Sequence, residues 1–194
     1  MRAEPRLAGF RAAGAVAMAL FLAAPAAAGR KPPEPPDLSL EHVHPSGRFS
    51  FKTPHDWKAG PSPTRPEAFD ASGGGGTLLI RFIYRSGEVG YDSLHADCML
   101  DRLAGPMDTS PSVKYEYDFV GGTILGRRAL DSAFVVRYDN AIQGHRDWRQ
   151  RNLTIVGAGE SLCLVTYVPV EMWKKPETRT LMDAVLNSLT FKKR

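Results

Sequence analysis

The chain has 194 residues, of which 43% are hydrophobic and 24% are charged, so it is long enough to form one domain with a sizeable core. Its 25 lysines and arginines only slightly outnumber its 21 aspartates and glutamates, which gives a formal net charge of +4. A charge this small, with both signs interspersed, excludes the strongly basic character typical of nucleic-acid-binding domains. We therefore predict no nucleic-acid partner.

The first 28 residues have the pattern of a secretory signal peptide. Basic residues precede an apolar stretch at 12–24, and Ala26 and Ala28 form a small-residue cleavage site. The apolar stretch is shorter than the roughly 20 residues of a membrane span. We predict cleavage after Ala28, no membrane span in the mature chain, and export to the periplasm or the extracellular space. Since residues 1–28 carry three arginines and one glutamate, the remainder has 22 basic and 20 acidic side chains and a net charge of +2.

Residues 29–37 follow the predicted cleavage site and contain four prolines among charged residues. This composition is typical of an extended, polyproline-type tether. The remaining residues, 38–194, are predicted to form a single α+β domain.

Alternating apolar and polar residues predict that most of this domain is β-sheet. A Gly-containing connection, 157–160, is expected to join the last two strands as a hairpin. The four glycines at 73–76 are interpreted as a flexible loop, because no Gly-Lys-Ser/Thr sequence follows them as in a phosphate-binding loop. In chain order, the predicted strands centre on 49–51, 78–84, 115–119, 134–138, 153–156 and 162–168.

Two segments have apolar side chains spaced as on one face of a helix. The first, 91–103, is followed by Gly105 and Pro106, and the second, 176–189, opens with a proline. Short connections between strands favour antiparallel pairing, and helices with one apolar face must pack on such a sheet. The predicted fold class is therefore α+β, a mainly antiparallel sheet with helices packed on it.

The order of these segments resembles the PsbP/Mog-like superfamily, which includes PsbP- and DcrB-like exported bacterial proteins. FSFKTPHDW at 49–57 is similar to the family's opening strand and its P-x-x-W turn, and Gly126 precedes a strand as in its central hairpin. LMDAVLNSLTF at 181–191 is similar to a final helix whose end returns as a strand. The resemblance covers most of residues 38–191. It implies an α/β/α sandwich and a non-enzymatic binding or accessory role, and it supplies no catalytic motif.

The two cysteines, Cys98 and Cys163, are the strongest chemical signal in the sequence. An even number of cysteines in an exported chain permits a disulfide between them, which would close a loop of about 65 residues. Two buried thiols in the core are the alternative. Neither cysteine has the basic neighbours that activate a catalytic thiol.

No catalytic or metal-binding set is predicted. His42 and His44 share a strand face, and His95 and Cys98 share a helical face, but zinc usually takes three or four protein ligands. Ser161 follows its glycines too late to form a nucleophile elbow. We predict no catalytic residues, no metal site and no cofactor. The alternative is an exported hydrolase or thiol-redox enzyme whose groups meet only in three dimensions.

Arginines concentrate near the predicted central hairpin. Arg149 and Arg151 share one strand face, with Trp148 beside them in the sequence and Arg137 on the neighbouring strand. Because arginine and tryptophan are favoured at interfaces, these four residues form a predicted partner-binding surface. Its partner would be an unknown protein or an anionic envelope component. The alternative is a solvated edge strand protected by its charges.

Overall fold

The computed structural model describes residues 34–87, His95, Cys98, 112–140 and 144–192. The predicted signal peptide and the first part of the predicted tether lie outside these residues. The predicted helix at 91–103 also lies outside them, except for His95 and Cys98, where the backbone is helical.

The described residues form ten strands and two α-helices. A short 3₁₀ turn, Gly74–Gly76, separates the fourth strand from the fifth, where the sequence predicted a flexible loop. In chain order the elements are β1 (Leu40–Val43), β2 (Phe49–Thr53), β3 (Lys58–Pro61), β4 (Ala68–Gly73), β5 (Leu78–Ser86), β6 (Ser112–Ile124), β7 (Arg127–Asn140), β8 (Gly144–Gly157), β9 (Glu160–Pro169), α1 (Val170–Trp173), α2 (Pro176–Asn187) and β10 (Thr190–Phe191).

The strands belong to two antiparallel sheets. The larger sheet has seven strands in the order β3-β4-β5-β9-β8-β7-β6, and the smaller has the order β1-β2-β10. Strands β6, β7 and β8 each pair with the next strand in the chain, so β6–β9 form a meander. At its last turn Ala158 and Gly159 both have positive φ, 55° and 67°, as in a type I′ hairpin. The pairing of β5 with β9 attaches the earlier strands to this meander.

The main core lies between one face of the larger sheet and the layer formed by β2 and α2. The Phe51 ring of β2 stacks on Phe82 of β5 with their centroids 4.3 Å apart. Met182 and Val185 supply the buried stripe of α2, at the spacing expected for one helical face. We call this side of the larger sheet the inner face. The other side, the outer face, carries a second core that includes Cys98, Cys163 and Tyr167.

The mainly antiparallel sheet with helices packed on it is confirmed, but the fold is more sheet-rich than the predicted α/β/α sandwich. Apart from the helical His95 and Cys98, the two α-helices of the described residues follow β9, and α1 has only four residues. Strands β3 and β4 were not predicted. Their sequences, KAGP and AFDASG, are short and rich in small side chains, so they lack a strong alternating pattern. None of the described helices is long and apolar enough to cross a membrane.

Candidate functional site

Cys98 and Cys163 are joined by a disulfide on the outer face of the larger sheet. Their Cα atoms are 6.0 Å apart, within the usual range for a disulfide, and both residues are fully buried. Of the two arrangements that the sequence allowed, the structure has the bonded one. The bond attaches Cys98 to a central strand of the sheet.

His95 is also fully buried, beside the disulfide, and two hydroxyl groups bind its ring. Its Nδ1 lies 2.8 Å from Thr154 Oγ1, and its Nε2 lies 3.1 Å from Ser132 Oγ. Thr154 donates its hydroxyl hydrogen to Cys98 Sγ at 3.4 Å, so it accepts from Nδ1 and leaves Nε2 to accept from Ser132. His95 and Cys98 therefore have structural partners and do not form a pair of metal ligands.

His44 is buried against aromatic rings at the end of β1. It stacks on Phe49 with centroids 4.4 Å apart, and the Ser46 amide donates to its Nδ1 at 3.2 Å. Burial lowers the pKa of His44 to about 4. His42 instead places its Nε2 2.8 Å from Thr53 Oγ1. Among the described residues, no group of three or more His, Cys, Asp or Glu side chains is arranged to hold a metal ion.

The low pKa of His44 predicts a loss of stability in mild acid. Because the pKa in the folded state lies below the ordinary value of 6.5, protonation favours the unfolded chain, and stability falls as the pH decreases from 6.5 to about 4. We expect a loss on the order of 2 kcal/mol. His44→Phe keeps the stacking and should remove this part of the pH dependence, as measured by urea unfolding at a series of pH values. His55→Phe, at an exposed position, is the control and should keep the pH dependence of the parent. If the stability of His44→Phe still varied with pH as the parent's does, His44 would not be the source of the loss in acid.

Three of the four residues of the predicted partner surface lie together on the inner face. Arg137, Arg149 and Arg151 occupy alternate positions that share this face of β7 and β8, whereas Trp148 points to the outer face and packs against the second core. We call the three residues the arginine face. The structure thus brings the arginines together and separates Trp148 from them.

Two arginines of this face bind carboxylates from other strands of the sheet. Arg149 Nε lies 2.8 Å from Glu116 Oε2, and its guanidinium stacks over the Trp173 ring at 4.0 Å. Arg149 is only 6% exposed. Arg137 forms two hydrogen bonds with Asp147, at 2.8 and 3.0 Å, and keeps 49% of its side chain exposed. Of these two arginines, Arg137 offers the larger surface to a partner.

Arg151 is held in the same way between the sheet and α2. It donates to Asp131 at 2.8 Å and approaches Asp183 of α2 at 3.7 Å. The hydrogen bond to Asp131 is the main reason that the pKa of Arg151 is raised. Because each arginine of the face has a carboxylate partner, the face is electrically balanced rather than basic.

A second ionic cluster surrounds Glu160, whose side chain is fully buried. Arg48 donates to both of its oxygens, at 2.9 and 3.2 Å, and Arg127 donates to Oε1 at 2.6 Å. Tyr84 donates its hydroxyl hydrogen to Oε2 at 2.9 Å. These donors, Arg48 first, lower the pKa of Glu160 to about 2, so the carboxylate is ionised at neutral pH. Through these contacts the residue before β2, the end of β5 and the start of β7 all bind the first residue of β9.

The sequence did not reveal an apolar groove of about 370 Å³ that lies between α2 and the β4–β5 connection. Its apolar lining includes Trp57, Leu78, Met172 and Leu181. We call it the Trp57 groove. The P-x-x-W motif was visible in the sequence, but the other walls come from distant segments of the chain, so no local pattern could have identified the groove.

Acidic side chains surround this apolar lining. Glu34, Asp56 and Glu177 all border the Trp57 groove, and no lysine, arginine, histidine or cysteine is among its described lining residues. The arrangement provides a concave apolar surface with negative charge at its edge. It suits the binding of a ligand better than nucleophilic chemistry.

Gly73 supports the wall of the groove because it leaves room for the indole of Trp57. A Cβ on Gly73 would overlap the Trp57 ring, although the extended backbone there would accept any residue. We expect Gly73→Ala to destabilise the protein by about 2 kcal/mol through overpacking. Gly60→Ala is the matched control, since a Cβ there meets nothing within 4 Å. Thermal unfolding of the two variants checks the prediction, and equal melting temperatures would contradict it.

The meander, the added β3–β5 strands and the β1-β2-β10 layer together define a PsbP-like fold. The solution structure of cyanobacterial PsbP (CyanoP) from Synechocystis sp. PCC 6803 matches 79% of this chain and 92% of that chain, with a TM-score of 0.53 and 9% identity. A crystal structure from Bacteroides thetaiotaomicron VPI-5482 matches 79% of this chain with a TM-score of 0.50 and 14% identity; the match spans 48% of that longer chain. The predicted resemblance in fold is therefore confirmed.

A third similar structure is LpqN, described as involved in cell envelope biogenesis of Mycobacterium tuberculosis. It matches 75% of this chain and 83% of that chain, with 19% identity and a TM-score of 0.45. No protein-family model and no curated protein matches the chain. At these identities, the first two structures define the fold and leave the function to be argued from the site.

Proposed function

We propose that the chain is a non-enzymatic, extracytoplasmic binding or accessory module, and that the Trp57 groove is its ligand-binding surface. The observation that carries this proposal is the combination of an apolar lining, Trp57, Leu78, Met172 and Leu181, with acidic side chains at the edge. Ligand sites are usually concave and mostly apolar, with a few polar groups that orient the ligand. The PsbP-like fold supports an accessory role by analogy only.

The disulfide supports an extracytoplasmic location. Disulfides persist in oxidising compartments and are rare in the cytosol. The bond between Cys98 and Cys163 agrees with the expected signal peptide at 1–28. Both sulfur-bearing residues are fully buried, so a thiol-redox reaction would require the core to open first. For this reason we favour a binding role over the thiol-redox alternative.

The charge of the groove indicates the chemistry of its ligand. Glu34, Asp56 and Glu177 favour a cationic ligand, and the apolar lining favours one with an apolar side chain between the charges. A segment of a partner protein that carries lysine or arginine beside proline or leucine has both properties. We therefore assign the groove to an extended basic peptide segment of a partner.

Peptide titration tests this assignment. A fluorescent peptide with a central Pro-Leu pair flanked by lysines should bind, and the same peptide with glutamates should not. Binding should weaken with salt because the carboxylates at the edge are exposed to solvent. Glu177→Lys should reduce the affinity several-fold, whereas Glu171→Lys, the same charge reversal on an exposed residue outside the groove, should leave it unchanged.

An added Arg137→Ala variant distinguishes the groove from the arginine face. If this variant alone reduces binding, or if the acidic peptide binds more tightly, the arginine face rather than the groove contacts the partner. Equal affinities for the parent and Glu177→Lys would contradict the role of the groove.

A further inference from the structure

Several turns of the protein lie along one end of the larger sheet. β5 finishes there at Ser86, opposite Glu160 at the start of β9, and Gly87 donates its amide to the Gly159 carbonyl at 2.9 Å. Lys192, after β10, donates its amide to the Arg48 carbonyl at 2.9 Å. We define the turn end as residues 44–48, 62–68, 84–87, 123–129, 156–162 and 190–192.

The turn end carries more basic than acidic side chains. Within these ranges there are two carboxylates: Glu160 is fully buried in its ionic cluster, and Glu67 is paired with Arg65. Arg85 also contributes to the lowered pKa of Glu67, which places it near this pair. Against these two carboxylates the same residues carry six basic side chains, Arg48, Arg65, Arg85, Arg127, Arg128 and Lys192.

An exposed leucine stands among these charges. Leu125 is 54% exposed at the tip of the β6–β7 turn, next to Gly126 and three residues before the exposed Arg128. Its φ is 51°, a conformation that leucine rarely adopts and that asparagine or glycine adopts more readily. The left-handed backbone therefore does not favour the large apolar side chain that occupies this position.

From this surface we infer that the turn end binds an anionic lipid bilayer. Basic residues are attracted to anionic headgroups, and an apolar side chain among them can enter the boundary between headgroups and acyl chains. The charges alone would also suit a soluble acidic polymer, but the exposed Leu125 favours a bilayer. This role goes beyond the proposed peptide binding.

The turn end and the Trp57 groove lie at opposite ends of β5. Leu78, the first residue of this nine-residue strand, borders the groove, and Ser86, its last, reaches the turn end, roughly 27 Å away. A bilayer and a peptide can therefore bind at the same time.

Vesicle co-sedimentation of the exported form of the chain tests the inference. The parent should bind phosphatidylcholine vesicles that contain about one third phosphatidylglycerol, and it should not bind phosphatidylcholine alone. Arg128→Glu/Lys192→Glu should bind at least roughly 25-fold more weakly, since each basic group near an anionic bilayer contributes roughly fivefold. Lys174→Glu/Lys175→Glu makes the same charge change on exposed residues at the groove end and should bind like the parent.

Leu125→Asn separates bilayer insertion from simple charge attraction. Asparagine accepts the positive φ, so the variant should fold, and its partition should fall roughly tenfold through the loss of the apolar side chain. Unchanged binding by Leu125→Asn, retained binding by Arg128→Glu/Lys192→Glu, or equal binding of the parent to neutral vesicles would each overturn the inference. None of these results affects the peptide titration of the groove, so the two proposals fail independently.

Discussion

Replacing Cys98 and Cys163 together with alanine is expected to lower the free energy of unfolding by about 4 kcal/mol. The disulfide joins residues 65 positions apart, and the unfolded chain without it gains the conformational freedom of that loop. Urea unfolding at neutral pH provides the measurement. For a domain of this size, a loss of about 4 kcal/mol is a large part of the total stability.

The parent under reducing conditions is the natural comparison for this variant. Its unfolding midpoint should move towards that of the double variant, while the variant itself should not respond to the reductant. Equal urea unfolding midpoints for the oxidised parent and the double variant would contradict the prediction, because the disulfide would then contribute nothing to stability.

Glu160→Gln should destabilise the protein by about 3 kcal/mol at neutral pH. The substitution removes the buried negative charge and leaves Arg48 and Arg127 facing each other without it. The effect should depend on pH with a definite sign. Since the pKa of Glu160 in the folded state is about 2, against an ordinary 4.5, its contribution is complete above pH 4.5 and is lost as the pH falls to about 2. The difference in unfolding free energy between parent and variant should shrink over that interval.

Glu67→Gln is the matched control for this experiment. Glu67 pairs with Arg65 at the surface, and exposed ion pairs contribute little, so we expect a change within about 0.5 kcal/mol. If Glu67→Gln and Glu160→Gln had equal effects, burial of the Glu160 cluster would not be the source of its stability.

Much of the fold could be predicted because half-buried strands carry a clear alternating pattern. Segment 78–84, with its alternating large apolar side chains, is part of β5, and 157–160 forms the predicted hairpin turn. The strand predicted at 153–156 covers only the last part of β8, which begins at Gly144. In the earlier part Gln150 and Asn152 are fully buried, and Gln150 Nε2 donates to Asn152 Oδ1 at 2.9 Å. Polar residues buried inside a sheet look like a surface loop in the sequence.

The sites were harder to predict because they depend on contacts between distant segments. The sequence showed that Arg149 and Arg151 share a strand face, and they do. It could not show that Glu116 and Asp131 neutralise them, because pairing across strands depends on the register between β6, β7 and β8. The Trp57 groove and the turn end could not be predicted either, because each is formed by segments that are distant in the sequence.

The strand order also has a consequence for how the chain folds. Within β6–β9 every pairing joins neighbours in the sequence, so little entropy is lost in closing each loop. The pairing of β5 with β9 instead brings Ser86 to Glu160 across the whole meander. Topology therefore favours early formation of the meander and late docking of β3–β5. The groove and the turn end both need β5 in place, so binding competence should appear only at this last step.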